Sequence, residues 1–193
     1  GDNDGYGGAG IGSGENAGWT SITIHGDAMV EAHGSESGTG IGGQWIPDTG
    51  TQTITISDTA TVSAYGGQYG PGIGVGGASP YPEEDSGSTS IVISSTKPVI
   101  AVAGLQSYAI GGGSIRYFGK VSLQIGESAK VWAFNRDSDH KSAVDWGNMT
   151  IADGTVAVAY THQSGDFPAA HEQHEVTDST DGTTWTWQHH LET

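Results

Sequence analysis

Four segments of the chain align without a gap: Ile22–Ala32, Ile54–Ala64, Ile91–Ala101 and Leu123–Ala133. A shortened fifth copy runs from Met149–Ile151 to Val156–Val158. With Ile24, Ile56, Ile93, Ile125 and Ile151 as equivalents, the spacings are 32, 37, 32 and 26 residues. A second marker lies between the copies: Gly10-Ile-Gly12, Gly40-Ile-Gly42, Gly72-Ile-Gly74 and Ala109-Ile-Gly111. Its isoleucines are 30, 32 and 37 residues apart, so the two markers drift together. Such a repeat restricts the fold severely. A single unit cannot bury its own apolar face, and only stacking on its neighbours closes a core.

Within each copy apolar and polar residues alternate with period two, the pattern of a half-buried strand. In the first copy Ile22, Ile24, Val30 and Ala32 share one side, and Thr23, Met29 and Glu31 the other. Short turns such as 25–27 and 57–59 divide each copy into two strands, and the Gly-Ile-Gly motif supplies a third short strand or corner. Alanines at 32, 64, 101 and 133 suit a narrow interior. The predicted fold is all-β: a right-handed parallel β-helix (β-solenoid) of about five rungs over residues 1–160. At ~4.8 Å per rung it stands roughly 24 Å tall. Residues 161–193 leave the repeat and are expected to form an irregular C-terminal tail that caps or flanks the column, with Thr183–Trp187 alternating like a strand.

Composition narrows the function classes. Glycine accounts for 33 of 193 residues, without the every-third-residue period of collagen. The absence of cysteine excludes disulfides, thiolate zinc sites and thiol catalysis. A formal net charge of −16 argues against nucleic acid as a partner, since phosphate binding needs cationic surface. No run of ~18 apolar residues is present to span a membrane. The sequence opens inside a glycine motif with no secretory leader, as expected of a mature chain or an excised piece. All six bases lie between Lys97 and Lys141, giving that stretch +3, while residues 1–96 carry eleven acids and residues 142–193 carry eight. Such segregation can draw copies of the chain together.

The stretch 8–12 (Gly-Ala-Gly-Ile-Gly), with Thr53–Ile56 and Ala60–Gly67, resembles the glycine-rich repeats of large bacterial surface and secreted proteins. That resemblance covers roughly residues 5–160. It implies a β-helical domain of the kind commonly described as carbohydrate-binding, at an extracellular or cell-surface location. It brings no catalytic motif, and the third copy departs from it at Thr96-Lys97-Pro98.

Stacking the copies also stacks their outward residues. One row reads Glu31, Ser63, Ile100, Trp132 and the next His33, Tyr65, Val102, Phe134. Tyr65, Ile100, Val102, Trp132 and Phe134 are therefore the candidate ligand-binding or interface residues, an apolar strip where a lone chain shows polar groups. Aromatic rings in such a strip stack on sugars, and patches of this kind mark interaction sites. The competing expectation is that Trp185 or Trp187 folds back and buries it. Tyr69, Tyr81, Tyr108, Tyr117 and Trp146 lie in loops able to extend it. The other long strand presents Thr23, Thr55, Val92, Gln124 and Thr150 beside Ser21, Thr53, Ser90, Ser122 and Asn148. This broken threonine ladder is similar to those of ice-binding solenoids, although β-propensity alone accounts for threonine there.

Metal chemistry has weaker candidates. His171, His174 and Glu175 supply imidazole and carboxylate ligands, but the two histidines are three apart rather than the four of a metalloprotease helix. Asp2–Gly5, Glu83–Asp85 and Asp137–Asp139 offer oxygens to Ca²⁺ or another divalent metal without a full loop motif. Polysaccharide-cleaving β-helices need carboxylates gathered on one face. Here Glu31 is the one acid at an outward strand position. The expected function is a non-enzymatic extracellular adhesion protein that binds glycan or protein partners through a solenoid face. The alternative is a structural subunit that binds copies of itself in a filament or sheath.

Overall fold

The computed structural model describes residues 8–14, 19–44, 50–76, 87–104, 107–112, 120–135, 144, 149–151, 156–160, 173–177, 184–188 and 190–191. Among these the chain is all-β, with parallel strands in three stacked sheets, a solenoid-like architecture. Successive strands pass from sheet to sheet in a fixed cycle. The glycine sheet holds β1 (Ile11–Ser13), β4 (Ile41–Gly43), β7 (Ile73–Val75) and β10 (Ile110–Gly112). The hydroxyl sheet holds β2 (Trp19–Ile24), β5 (Thr51–Ile56), β8 (Ser88–Ile93), β11 (Lys120–Ile125) and β13 (Met149–Ile151). The alanine sheet holds β3 (Met29–His33), β6 (Thr61–Tyr65), β9 (Pro98–Val102), β12 (Lys130–Phe134) and β14 (Val156–Tyr160).

Register follows the sequence repeat residue for residue. Ile24, Ile56, Ile93, Ile125 and Ile151 lie side by side on adjacent strands. So do Ala32, Ala64, Ala101, Ala133 and Ala159. One slip of a single residue would turn every apolar side chain outward, so the buried face pins the register. The pairing of Thr61 with Pro98 is missing from the β6–β9 ladder. Proline has no N–H to give.

The core is one continuous cluster drawn from all three sheets. Ile54, Ile56, Ile91 and Ile93 meet Val62, Ala64, Val99 and Ala101 across the interior, with Ile41, Ile73 and Ile110 closing the third side. All eleven are fully buried, and each buried isoleucine contributes about 1.5–3 kcal/mol. Alanine on the facing strand keeps the space narrow enough for isoleucine to fill.

Backbone approach explains the Gly-Ile-Gly marker. Gly12, Gly42, Gly74 and Gly111 stack in register with φ between +135° and +144°. A Cβ on Gly42 would lie 1.8 Å from the carbonyl oxygen of Gly74, so glycine is required by both conformation and space. The turn from the hydroxyl to the alanine sheet is held by its neighbour in the stack. The Gly26 amide donates to Asp58 Oδ2 (3.0 Å), and the buried Ser95 hydroxyl donates to the Ala60 carbonyl (2.6 Å).

In the first three copies length variation is confined to one corner; in the fourth, the interval from Val131 to Val144, which bridges to Ile110, is 13. Eleven residues separate Val30 from Ile41, Val62 from Ile73 and Val99 from Ile110, and six separate Ile24 from Val30, Ile56 from Val62 and Ile93 from Val99. From the glycine to the hydroxyl sheet the intervals differ: 13 from Ile11 to Ile24, 15 from Ile41 to Ile56, 20 from Ile73 to Ile93.

The C-terminal region, expected to be irregular, contains regular strands. β15 (Gln173–Thr177) and β16 (Thr184–Gln188) pair as an antiparallel hairpin. β17 (His190–Leu191) adds antiparallel to β14 at the end of the alanine sheet. Alternation in 183–187 was the visible sign of β16; the glutamine- and histidine-bearing β15 carried none.

Candidate functional site

The outward rows of the alanine sheet are aligned as the repeat requires: Glu31, Ser63, Ile100, Trp132 and, beside them, His33, Tyr65, Val102, Phe134. The expected exposure of this strip is corrected. Tyr65, Val102 and Phe134 are 6 %, 1 % and 1 % exposed and form a second apolar cluster, against which the half-buried Ile100 and Trp132 pack. In-register strands bring equivalent side chains ~4.8 Å apart, so large groups in one row cover each other's faces. His33 ends the row with its ring stacked on Tyr65, centroids 4.5 Å apart and planes 4° from parallel. Glu31 Oε1 lies 2.9 Å from Nε2 of that histidine and holds it in place. Tyr65 and Phe134 therefore offer no open face to a sugar ring, while Trp132 and Ile100 stay partly exposed beside them.

An open surface lies instead on the hydroxyl sheet. Its outward rows are Trp19, Thr51, Ser88; then Ser21, Thr53, Ser90, Ser122; then Thr23, Thr55, Val92, Gln124. Thr51, Thr53, Ser21, Thr23, Ser88 and Ser122 are exposed, and the others are half-exposed apart from the open Gln124 and Trp19. Alternation puts these residues on one face because their neighbours Ile22, Ile54 and Ile91 are committed to the core. Hydroxyls recur every ~4.8 Å across the strands and every ~6.6 Å along them. The Thr53 hydroxyl donates to Ser21 Oγ at 3.1 Å, and each hydroxyl can both donate and accept. Trp19, at the edge of this face, is 81 % exposed. The face is rich in hydroxyls, with an indole at its rim, and Lys120 continues the Trp19, Thr51, Ser88 row in register.

The remaining candidates separate as follows. Tyr69 is 37 % exposed and Tyr108 half-buried. Tyr81, Tyr117, Trp146, Asn148, the Asp2–Gly5, Glu83–Asp85 and Asp137–Asp139 clusters, and His171 lie outside the described residues. His174 and Glu175 are consecutive on β15, an extended strand rather than the helix that metal-ligand spacing invoked; they stand opposite Trp187 and Thr186. Among the described residues no group of three His, Asp or Glu is placed to hold a metal. Among them, too, no helix is long and apolar enough to cross a membrane.

Two polar residues that the repeat did not single out are inside the column. Gln52 and Thr89, neighbours on one inward row, are each 1 % exposed. Their period-two relation to Ile54 and Ile91 was the signal that would have placed them there. Family models, curated proteins and solved structures were all compared with the chain, and none matches it.

Proposed function

We propose that this chain is a non-enzymatic, extracellular adhesion module, a right-handed β-helix of five rungs that binds glycan through the outer face of its hydroxyl sheet. The observation that carries the reading is Trp19: a large aromatic side chain, 81 % exposed, on the rim of a flat field of serine and threonine hydroxyls. Indole faces stack on the apolar side of a sugar ring, and surrounding hydroxyls exchange hydrogen bonds with those of the sugar. An uncharged polysaccharide also suits a chain whose net charge of −16 repels acidic ones. The similarity to glycine-rich bacterial surface repeats supports the same location and partner class. The test is binding to an array of neutral glycans, with Trp19→Ala and Thr53→Val as variants. Loss of the stacked ring is expected to weaken binding about tenfold or more. Binding that both substitutions leave unchanged removes this face as the site.

A second reading, a self-assembling structural subunit, is favoured by one feature. All six bases lie between Lys97 and Lys141, while residues 1–96 and 142–193 carry nineteen acids and no base, so oppositely charged stretches of two copies attract. Light scattering over a range of concentration and salt discriminates: a strictly monomeric particle throughout speaks against assembly.

A further inference from the structure

We infer that the corner between the glycine and hydroxyl sheets holds a buried water site, built by Ser13 and Gln52. Two side-chain oxygens there, Ser13 Oγ and Gln52 Oε1, are buried and lack any hydrogen-bond partner in the protein. The amide of Gln52 is fixed in orientation, because its Nε2 donates to the Gly74 carbonyl at 2.8 Å. Its Oε1 therefore faces the other way, toward Gly43. A Cβ on Gly43 would meet that oxygen at 2.5 Å and Ser13 Oγ at 2.8 Å, so the two oxygens converge on one spot. One bridging molecule with ordinary hydrogen bonds of ~2.8 Å reaches both.

The surroundings define the extent of the site. Along the glycine sheet the row reads Ser13, Gly43, Val75, Gly112, and along the hydroxyl sheet Thr20, Gln52, Thr89, Val121. Polar groups thus occupy one stretch and Val75 and Val121 shut it off. Gly43 has no left-handed φ to demand glycine; what forbids a side chain there is the polar pair already filling the space. Leaving both buried oxygens unpaired costs about 1–3 kcal/mol each, which a stable fold avoids by trapping water. The proposed ligand is water rather than a cation: both oxygens belong to neutral groups, and among the described residues no carboxylate is placed to offset the desolvation of an ion.

Ser13→Ala tests the site, because the two cases move stability in opposite directions. With water bound, the change deprives it of a partner, and the melting temperature falls by about 2–4 °C. In a dry corner the same change removes an orphaned hydroxyl, the melting temperature rises, and the proposal is overturned. A measurement on the unaltered chain stands independently of whether the variant folds. Water-proton cross-relaxation to the Gln52 side-chain amide is expected to show a long-lived contact; its absence overturns the site. A melting temperature raised by millimolar CaCl₂ in the original chain and not in Ser13→Ala also overturns it, in favour of a metal ion.

Discussion

Replacing Gly42 by alanine puts the architecture to its sharpest test. The substitution has two separable costs. With φ at +143°, an L side chain is strained by about 1–3 kcal/mol whatever the space around it. The added Cβ also falls 1.8 Å from the Gly74 carbonyl oxygen and 2.8 Å from its carbon. β4 is hydrogen-bonded to β1 on one side and β7 on the other, so it cannot retreat without lengthening ladder bonds. Forced overpacking of this kind costs about 1–3 kcal/mol more. The expected total is about 2–6 kcal/mol, a large part of the ~5–15 kcal/mol that holds a domain folded. Two other glycines separate the contributions. Gly26 has φ +66° and nothing within 4 Å of where an added Cβ would sit, so Gly26→Ala carries strain alone, about 1–2 kcal/mol. Gly14 has neither feature, and Gly14→Ala stays within about 0.5 kcal/mol of the parent. Urea unfolding followed by tryptophan fluorescence and far-ultraviolet circular dichroism gives all three values. Equal losses at Gly42 and Gly26 would refute the steric half of the reasoning, and a neutral Gly42→Ala would refute the stack itself.

Three further outcomes are expected. Ile56→Ala, at a fully buried position between two neighbours, loses about 2–5 kcal/mol in urea titration, and Ile24→Ala, on the terminal strand, loses less. Reversal of that order would contradict a shared column. Phe134→Ala lowers stability by about 3–5 kcal/mol, because its ring is 1 % exposed; a ring serving as an open sugar platform would leave the melting temperature unmoved. Ser128 adopts φ +61°, and Ser128→Gly relieves strain of about 1–2 kcal/mol while adding up to about 1 kcal/mol of unfolded-chain entropy. A melting temperature raised by a degree or more confirms the left-handed turn, and a lowered one contradicts it.

Much of the stack was legible because its cause is local. Alternation in Ile22–Ala32 and its copies assigns each side chain to a face, and the recurrence of two motifs in a fixed order leaves one register that buries them together. The burial of Tyr65, Val102 and Phe134 was not legible. Alternation says that they point away from the central column, but whether an outward residue meets water depends on what else packs there. Likewise Trp19 precedes the aligned segments, so the repeat gave no reason to weigh it. Gln52 and Thr89 sit at inward positions that the pattern itself defines, yet polarity in a core is an exception no periodicity announces. The strands of residues 173–191 had no repeat to reveal them, and their pairing depends on contacts distant in sequence.

The uneven corner between the glycine and hydroxyl sheets has an engineering consequence. In the first three copies two of the three connections are fixed in length, while the third absorbs 13, 15 or 20 residues between equivalent isoleucines without shifting the ladder. Enlarging a surface connection costs little, about 0.6 kcal/mol per doubling. Foreign peptides are therefore best grafted there, where each insert would emerge alongside the row that begins with Trp19. Diversifying that corner offers a way to retune what the neighbouring surface grips while the scaffold beneath stays constant.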